Sequence, residues 1–215
     1  MKGLLLKDLY TIKGFGKQYI LVFGFMILWS VCMKSTSFAS MYAILLGGML
    51  VLTSMSVDET AHFNQFALTM PINTETVAKA KYLLLVLTIV AGMIIGCVAN
   101  FIGELIPGFG EGFDVTSIFV IGSLFLLAYT ITLPIIYKKG VEKARYAYIL
   151  VLLALGAAIV GVIKLVSMIM GVKMTELPSP AGSSWMLIVG LIIIDLISLF
   201  ISYKVSLKIL STKEW

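Results

Sequence analysis

The side chains best placed to do chemistry are the polar ones set deep in apolar sequence: Asp195, Lys164, Glu104 and the amide Asn100. A charge at bilayer depth costs roughly 2.5–3.5 kcal/mol even on insertion scales, so each must face protein, water or an opposite charge. Asn100 and Glu104 are four residues apart, which puts them on one face of a helix. Lys164 and Asp195 differ in depth by only about 6 Å, counted at 1.5 Å per residue from the outer ends of their helices, and a lysine stem covers that difference. A structural Lys164–Asp195 pair is the favoured expectation. The sharper alternative is a polar translocation surface that also includes Glu104 and Asn100.

Catalysis on this chain is not expected. There is no GxxxxGK[ST] phosphate loop, since Gly14-Phe-Gly-Lys17-Gln18 has neither the length nor the final hydroxyl. HExxH and GxSxG are absent, and the one histidine, His62, has no carboxylate or cysteine at metal-ligand spacing and reads as a solvated side chain. Cys32 and Cys97 lie far apart in apolar runs without a CxxC partner, so they read as buried small side chains and not as a disulfide or metal site. No metal and no cofactor is expected on this chain.

The segment 57–81 mixes charge with apolar groups and is interrupted at Pro71, whose ring breaks a helix and pushes Met70 towards an extended conformation. A short helix before Pro71 and a second one capped near Asn73 or Thr74 follow from this pattern. Asp58, Glu59, Phe63, Phe66, Leu68 and Pro71 then lie at a membrane surface, and Phe63, Phe66 and Leu68 are more apolar than a connector needs. Two readings stay open: docking of a soluble partner, or packing on the protein's own inner face. Residues 3–13 place Leu5, Leu6, Leu9, Tyr10 and Ile12 on one side of a helical wheel and Lys7, Asp8 and Thr11 on the other, which fits a helix lying in the interface before a turn at Gly14-Phe-Gly or, equally, a simple basic anchor; both put the segment at the membrane surface. Gly92-Met-Ile-Ile-Gly96 has GxxxG spacing, which permits close approach of another helix and is weak evidence for a dimer.

The elements that must position these residues follow from composition. With 60% apolar and 13% charged residues in 215, the chain departs from soluble proteins and contains several apolar runs long enough to cross a membrane. Six spans are expected at about 19–38, 39–56, 82–106, 115–137, 147–170 and 185–203, the first two divided at the polar tetrapeptide Lys34-Ser-Thr-Ser. No small-residue cleavage site follows the first apolar run, so no removable signal peptide is expected. Of the sixteen basic residues, four precede the first span, two lie between spans two and three, four between four and five and three after six. Those thirteen share one side, which the positive-inside rule makes cytoplasmic, with both termini there. The net charge of +5 is explained by these flanks without invoking nucleic acid. The fold class is therefore an all-α polytopic membrane protein with a single transmembrane domain over 1–215 in the cell (plasma) membrane.

The opening Met1-Lys-Gly-Leu-Leu-Leu-Lys-Asp-Leu-Tyr10, then Asp58-Glu59 leading to Leu68-Thr-Met-Pro71-Ile-Asn and Val77-Ala-Lys-Ala-Lys81-Tyr82, and finally Leu133-Pro134-Ile with Gly140-Val-Glu-Lys-Ala-Arg145, resemble the small type-2 ABC permeases of Gram-positive bacteria. The resemblance covers the whole chain and looks closest to exporters of phenol-soluble modulins and bacteriocin-like peptides. It implies a dimer of six-helix subunits joined to two cytoplasmic ATPase subunits, which bind ATP and Mg in place of this chain. It also implies that residues 1–17 form an interfacial elbow helix and 57–72 a coupling helix. Family members often carry a large aromatic between the acidic pair and the proline, a stretch that Phe63 and Phe66 fill here. The implied function is export of amphipathic or antimicrobial-type peptides. The alternative is a non-transporting immunity or sensor module that sequesters a peptide. A passive channel or secondary transporter ranks third, because the two three-helix halves show no inverted repeat.

Overall fold

A computed structural model describes residues 2–63, 66, 74–105, 115–170 and 184–212. Among these residues the chain forms seven helices: α1 (Lys2–Gly14), α2 (Gly16–Met33), α3 (Thr36–Thr60), α4 (Thr74–Glu104), α5 (Val115–Lys139), α6 (Val141–Met170) and α7 (Ser184–Thr212). Five of them, α3 to α7, contain stretches long and apolar enough to cross a membrane, and α1 with α2 passes the same test as a pair bent by 61°. The bend falls at Phe15, between Gly14 and Gly16, where the Phe15 N–H reaches Ile12 O at 3.1 Å and the Gln18 N–H returns to Phe15 O at 3.0 Å.

The division between α2 and α3 lies at the polar tetrapeptide, somewhat before the expected boundary at 38/39. Lys34 takes the left-handed conformation (φ 52) and Ser35 is extended, which ends α2 with its last carbonyls satisfied. The Ser35 N–H bonds Ser30 O at 3.2 Å, and the Ser30 hydroxyl donates to Ser35 O at 2.5 Å, so the tight hairpin carries its own polar partners. α4 has 31 residues, about 46 Å of helix, against a hydrocarbon core of about 30 Å. Its surplus length projects at the end of the bundle that carries most of the basic residues.

The core is the contact of α3 with α4, closed by α5. Gly92 of α4 meets Ala43 and Ile44 of α3, and Gly96 meets Ser40; a Cβ at position 92 would lie 2.8 Å from the Ala43 carbonyl oxygen. The GxxxG spacing, read from sequence as weak evidence for a second copy, is thus occupied inside the chain. Two backbones in contact gain dispersion where apolar attraction between helices is weak in lipid. Ile44, Val51, Leu85, Ile89, Phe125, Tyr129 and Leu133 fill the space between the three helices. α2, α6 and α7 lie outside them with apolar side chains such as Leu21, Leu28, Leu150, Leu153, Ile193 and Leu196 turned outward.

Pro134 lies inside α5 and, having no N–H, leaves the Thr130 carbonyl without its helical partner. Ser202 of α7 supplies the missing donor at 2.6 Å. With its proton so used, Ser202 accepts from Tyr82 of α4 at 2.5 Å, and Tyr82 in turn lies 2.8 Å from Ser206. A proline in α5 is therefore the reason for a hydroxyl strap that ties α4, α5 and α7 together.

Candidate functional site

At the basic end, three helices bring four charges into a knot. Lys81, on the surplus length of α4, lies 2.8 Å from Asp8 Oδ1 of α1 and 2.6 Å from Asp58 Oδ2 of α3, with the Ser54 hydroxyl at 2.8 Å. Lys7 lies 2.5 Å from Asp58 Oδ1 and 3.2 Å from Asp8 Oδ1, and Ser54 donates to Asp8 at 3.0 Å. Two lysines thus balance two carboxylates. The side chain of Asp8 is 1% exposed and that of Lys81 6%. Charges removed from water to this degree persist only when each is paired and hydrogen-bonded, as these are. Phe63, just past the end of α3, places its ring 3.6 Å from the Lys7 Nζ, a cation–π contact that covers the knot.

The next residue along α3 makes a second link. Glu59 Oε2 accepts the N–H of Val141 at 2.6 Å, so an α3 carboxylate caps the first turn of α6, where unpaired backbone donors and the helix dipole favour negative charge. The preceding residue, Gly140, has φ +86, and a Cβ there would lie 2.5 Å from Glu59 Oε1. Glycine is needed at this turn both for its conformation and for the approach of the carboxylate. Arg145 of α6 adds a long contact to Ser56, at 3.5 Å. The end of α3 is therefore fastened to α1 and α4 through Asp58 and to α6 through Glu59.

The structure shows what the two sides of α1 face. The helical wheel assigns Asp8 and Lys7 to its polar side, and the structure turns that side inward onto α3 and α4, with Leu5 and Ile12 packed at its margin. Leu6, Leu9 and Tyr10 point outward, each more than half exposed. The half-buried Lys7, the buried Lys81 and Asp8 are not among the site residues expected from sequence. A signal for them exists, because Asp8 is the only acid in the first 57 residues and lies in an otherwise basic arm.

The other sequence-derived residues fall in separate places. Asp58 and Glu59 are engaged as described, and Phe66 is 55% exposed. Leu68 and Pro71, and with them most of the expected coupling helix, lie outside the described residues. His62 is exposed with φ 49 and forms part of the end of α3, its N–H bonding Glu59 O at 3.2 Å. Among the described residues no group of three or more potential metal ligands occurs. Cys97 is half-buried, while Cys32 is exposed on α2, contrary to the expectation that both are buried.

In the apolar zone, Asn100 is buried and donates to the Ser40 hydroxyl and to Gly96 O, so it serves the α3–α4 contact. Glu104 ends α4, and its side chain is not among those described. Lys164 is exposed on α6. Asp195 of α7 accepts a hydrogen bond from Ser123 of α5 at 2.9 Å. The structure thus brings Asp195 to Ser123 and Asn100 to Ser40, in two different helix contacts, α5–α7 and α3–α4.

Fold and site together define an all-α polytopic membrane protein with one end locked by charge. The chain matches the ABC-2 family transporter protein over residues 3–211 and belongs to that family. It is the membrane permease subunit of an ABC transporter, a class that works with an ATPase partner and is not itself catalytic. Neither a curated protein nor a solved structure matches the chain.

Proposed function

We propose that this chain is the membrane half of an ATP-driven exporter of amphipathic peptides, built from two permease copies and two ATPase subunits. The basic end faces the cytoplasm, where thirteen of the sixteen Lys and Arg residues would lie. Residues 57–72 dock on the ATPase, and α1 is the elbow helix in the inner interface. The observation that carries this reading is the fastening of the end of α3 to α1, α4 and α6 through Asp58, Lys81, Asp8 and Glu59. A segment that only connected two spans would need no such anchorage. A segment pushed by a partner does, because force applied at 57–72 is then delivered to three other helices together.

The mechanism follows. Closure of the ATPases on ATP displaces the docking segment, and the paired charges move α1 and α4 with the end of α3. Glu59 carries the same displacement to the start of α6. The spans tilt as a set and open a path for the cargo. The ATP and Mg bind to the ATPase subunits; this chain's part is to receive and distribute the motion.

The test is co-expression with the ATPase encoded beside this gene, purification in detergent, and measurement of co-elution and ATP hydrolysis for the wild type, Phe66→Asp and Phe63→Asp. Phe66→Asp is expected to abolish co-elution in a chain that remains folded. Phe63→Asp places a carboxylate at Lys7 and is expected to disturb the knot as well. If no ATPase co-purifies with the wild type, the exporter reading fails and a sequestering module takes its place.

A further inference from the structure

Asp195 is a carboxylate in the apolar part of the bundle whose hydrogen-bond partner among the described residues is a neutral hydroxyl. It lies 11 residues into α7 and Ser123 lies 8 residues into α5. At 1.5 Å per residue these are depths of about 16 and 12 Å along the helices, near the middle of a hydrocarbon core about 30 Å thick. One oxygen, Oδ1, accepts the Ser123 hydroxyl at 2.9 Å. Among the described residues no Lys or Arg forms an ion pair with Asp195.

The contrast with the rest of the molecule gives this meaning. Asp8 and Asp58 are neutralised by Lys7 and Lys81, and Glu59 lies on a helix N-terminus. Along the same α5–α7 seam, Ser202 meets a neutral backbone carbonyl, so helix pairing needs no ionisable group there. Asp195 is half-buried at the edge of that seam, beside the exposed Ile192 and Leu196, so the residue is partly open to a group arriving from outside the chain. An ionisable side chain kept at this depth marks a ligand or ion path by default, and its natural partner is an opposite charge.

We propose that Asp195, oriented by Ser123, is an intramembrane binding point for the cationic head of an amphipathic molecule, an alkylammonium or guanidinium group whose apolar part lies along the outward face of α7. The assignment rests on the exporter reading for what such a molecule is, namely cargo. Its test needs no ATPase, so the two can fail separately.

The experiment uses the full chain in phosphatidylcholine nanodiscs with N-dansyl-1,12-diaminododecane as the cationic probe and N-dodecyl dansylamide as the neutral one. The wild type should bind the cationic probe saturably and the neutral probe no more than empty nanodiscs do. Asp195→Asn should weaken cationic binding by about tenfold or more, and Asp195→Glu should retain it within a few-fold. Ile192→Lys supplies an internal cation three residues away on the same helix, and it should displace the probe even if Asp195→Asn proves poorly folded. Equal binding of the two probes by the wild type would overturn the proposal. Unchanged affinity for the cationic probe in folded Asp195→Asn or Ile192→Lys would do the same.

Discussion

Lys81 meets two carboxylates and a hydroxyl while almost wholly removed from water, and that defines what its loss does. Lys81→Met leaves Asp8 and Asp58 with Lys7 alone, itself 29% exposed and nearer to Asp58 than to Asp8. Breaking a buried pair by removing one partner costs about 3–5 kcal/mol. Lys81→Met should therefore sharply lower the unfolding midpoint in detergent, and Lys7→Met, whose partner water reaches, should lower it less. Asp8→Asn combined with Lys81→Met removes one charge of each sign and should recover part of the loss. An unfolding midpoint for Lys81→Met equal to that of the wild type would contradict the burial of the knot. The sequence shows why these partners escape a one-dimensional reading. A wheel drawn on residues 3–13 separates polar from apolar sides but cannot say that the polar side faces a lysine 73 positions away.

At the scale of elements, two features decide how the helices meet. In the α3–α4 contact, Gly92→Val would drive side-chain atoms into the Ala43 carbonyl and the Ile44 Cα, which are backbone and cannot turn aside. Overpacking of this kind costs typically about 1–3 kcal/mol, so folded yield and melting temperature should both fall. Gly190→Ala on α7, where a Cβ would meet nothing within 4 Å, should be neutral or mildly stabilising. The second feature is the carbonyl freed by Pro134. Ser202→Ala leaves it unpaired and should cost about 0.6 kcal/mol, the average for hydrogen bonds between membrane helices, and no more than about 1.7 kcal/mol. In a Pro134→Ala background the helix supplies its own N–H to Thr130, and the same Ser202→Ala change should cost close to nothing; a thermal-unfolding double-mutant cycle reads the difference. Much of this level is legible in the sequence. Hydropathy marks the long helices, and Lys34-Ser-Thr-Ser marks the break that the structure places at Lys34 and Ser35. Leu133-Pro134-Ile also stands out. What the proline does depends on a serine 68 residues later, and only the packed bundle pairs them.

At the scale of the whole molecule, the site has two branches that leave the end of α3 from adjacent residues. Asp58 leads to α1 and α4, whereas Glu59 leads to α6. If residues 57–72 receive the ATPase, docking and transmission belong to different side chains and separate experimentally. Phe66, exposed past the end of α3, belongs to docking, and Glu59, occupied at the α6 N-terminus, belongs to transmission. Glu59→Ala removes the cap and its charge-assisted hydrogen bond. It should cost about 0.5–2 kcal/mol, the range for losing a helix cap, and so leave a folded chain. It should co-elute with the ATPase in wild-type yield and support basal ATP hydrolysis, yet move less cargo into inverted vesicles per ATP consumed. Gly140→Ala pushes against the same carboxylate and should resemble it. Phe66→Asp should instead lose co-elution and transport together. If Glu59→Ala also lost the ATPase, Glu59 would belong to the docking surface, and the branch to α6 would be a consequence of docking and not a route for motion.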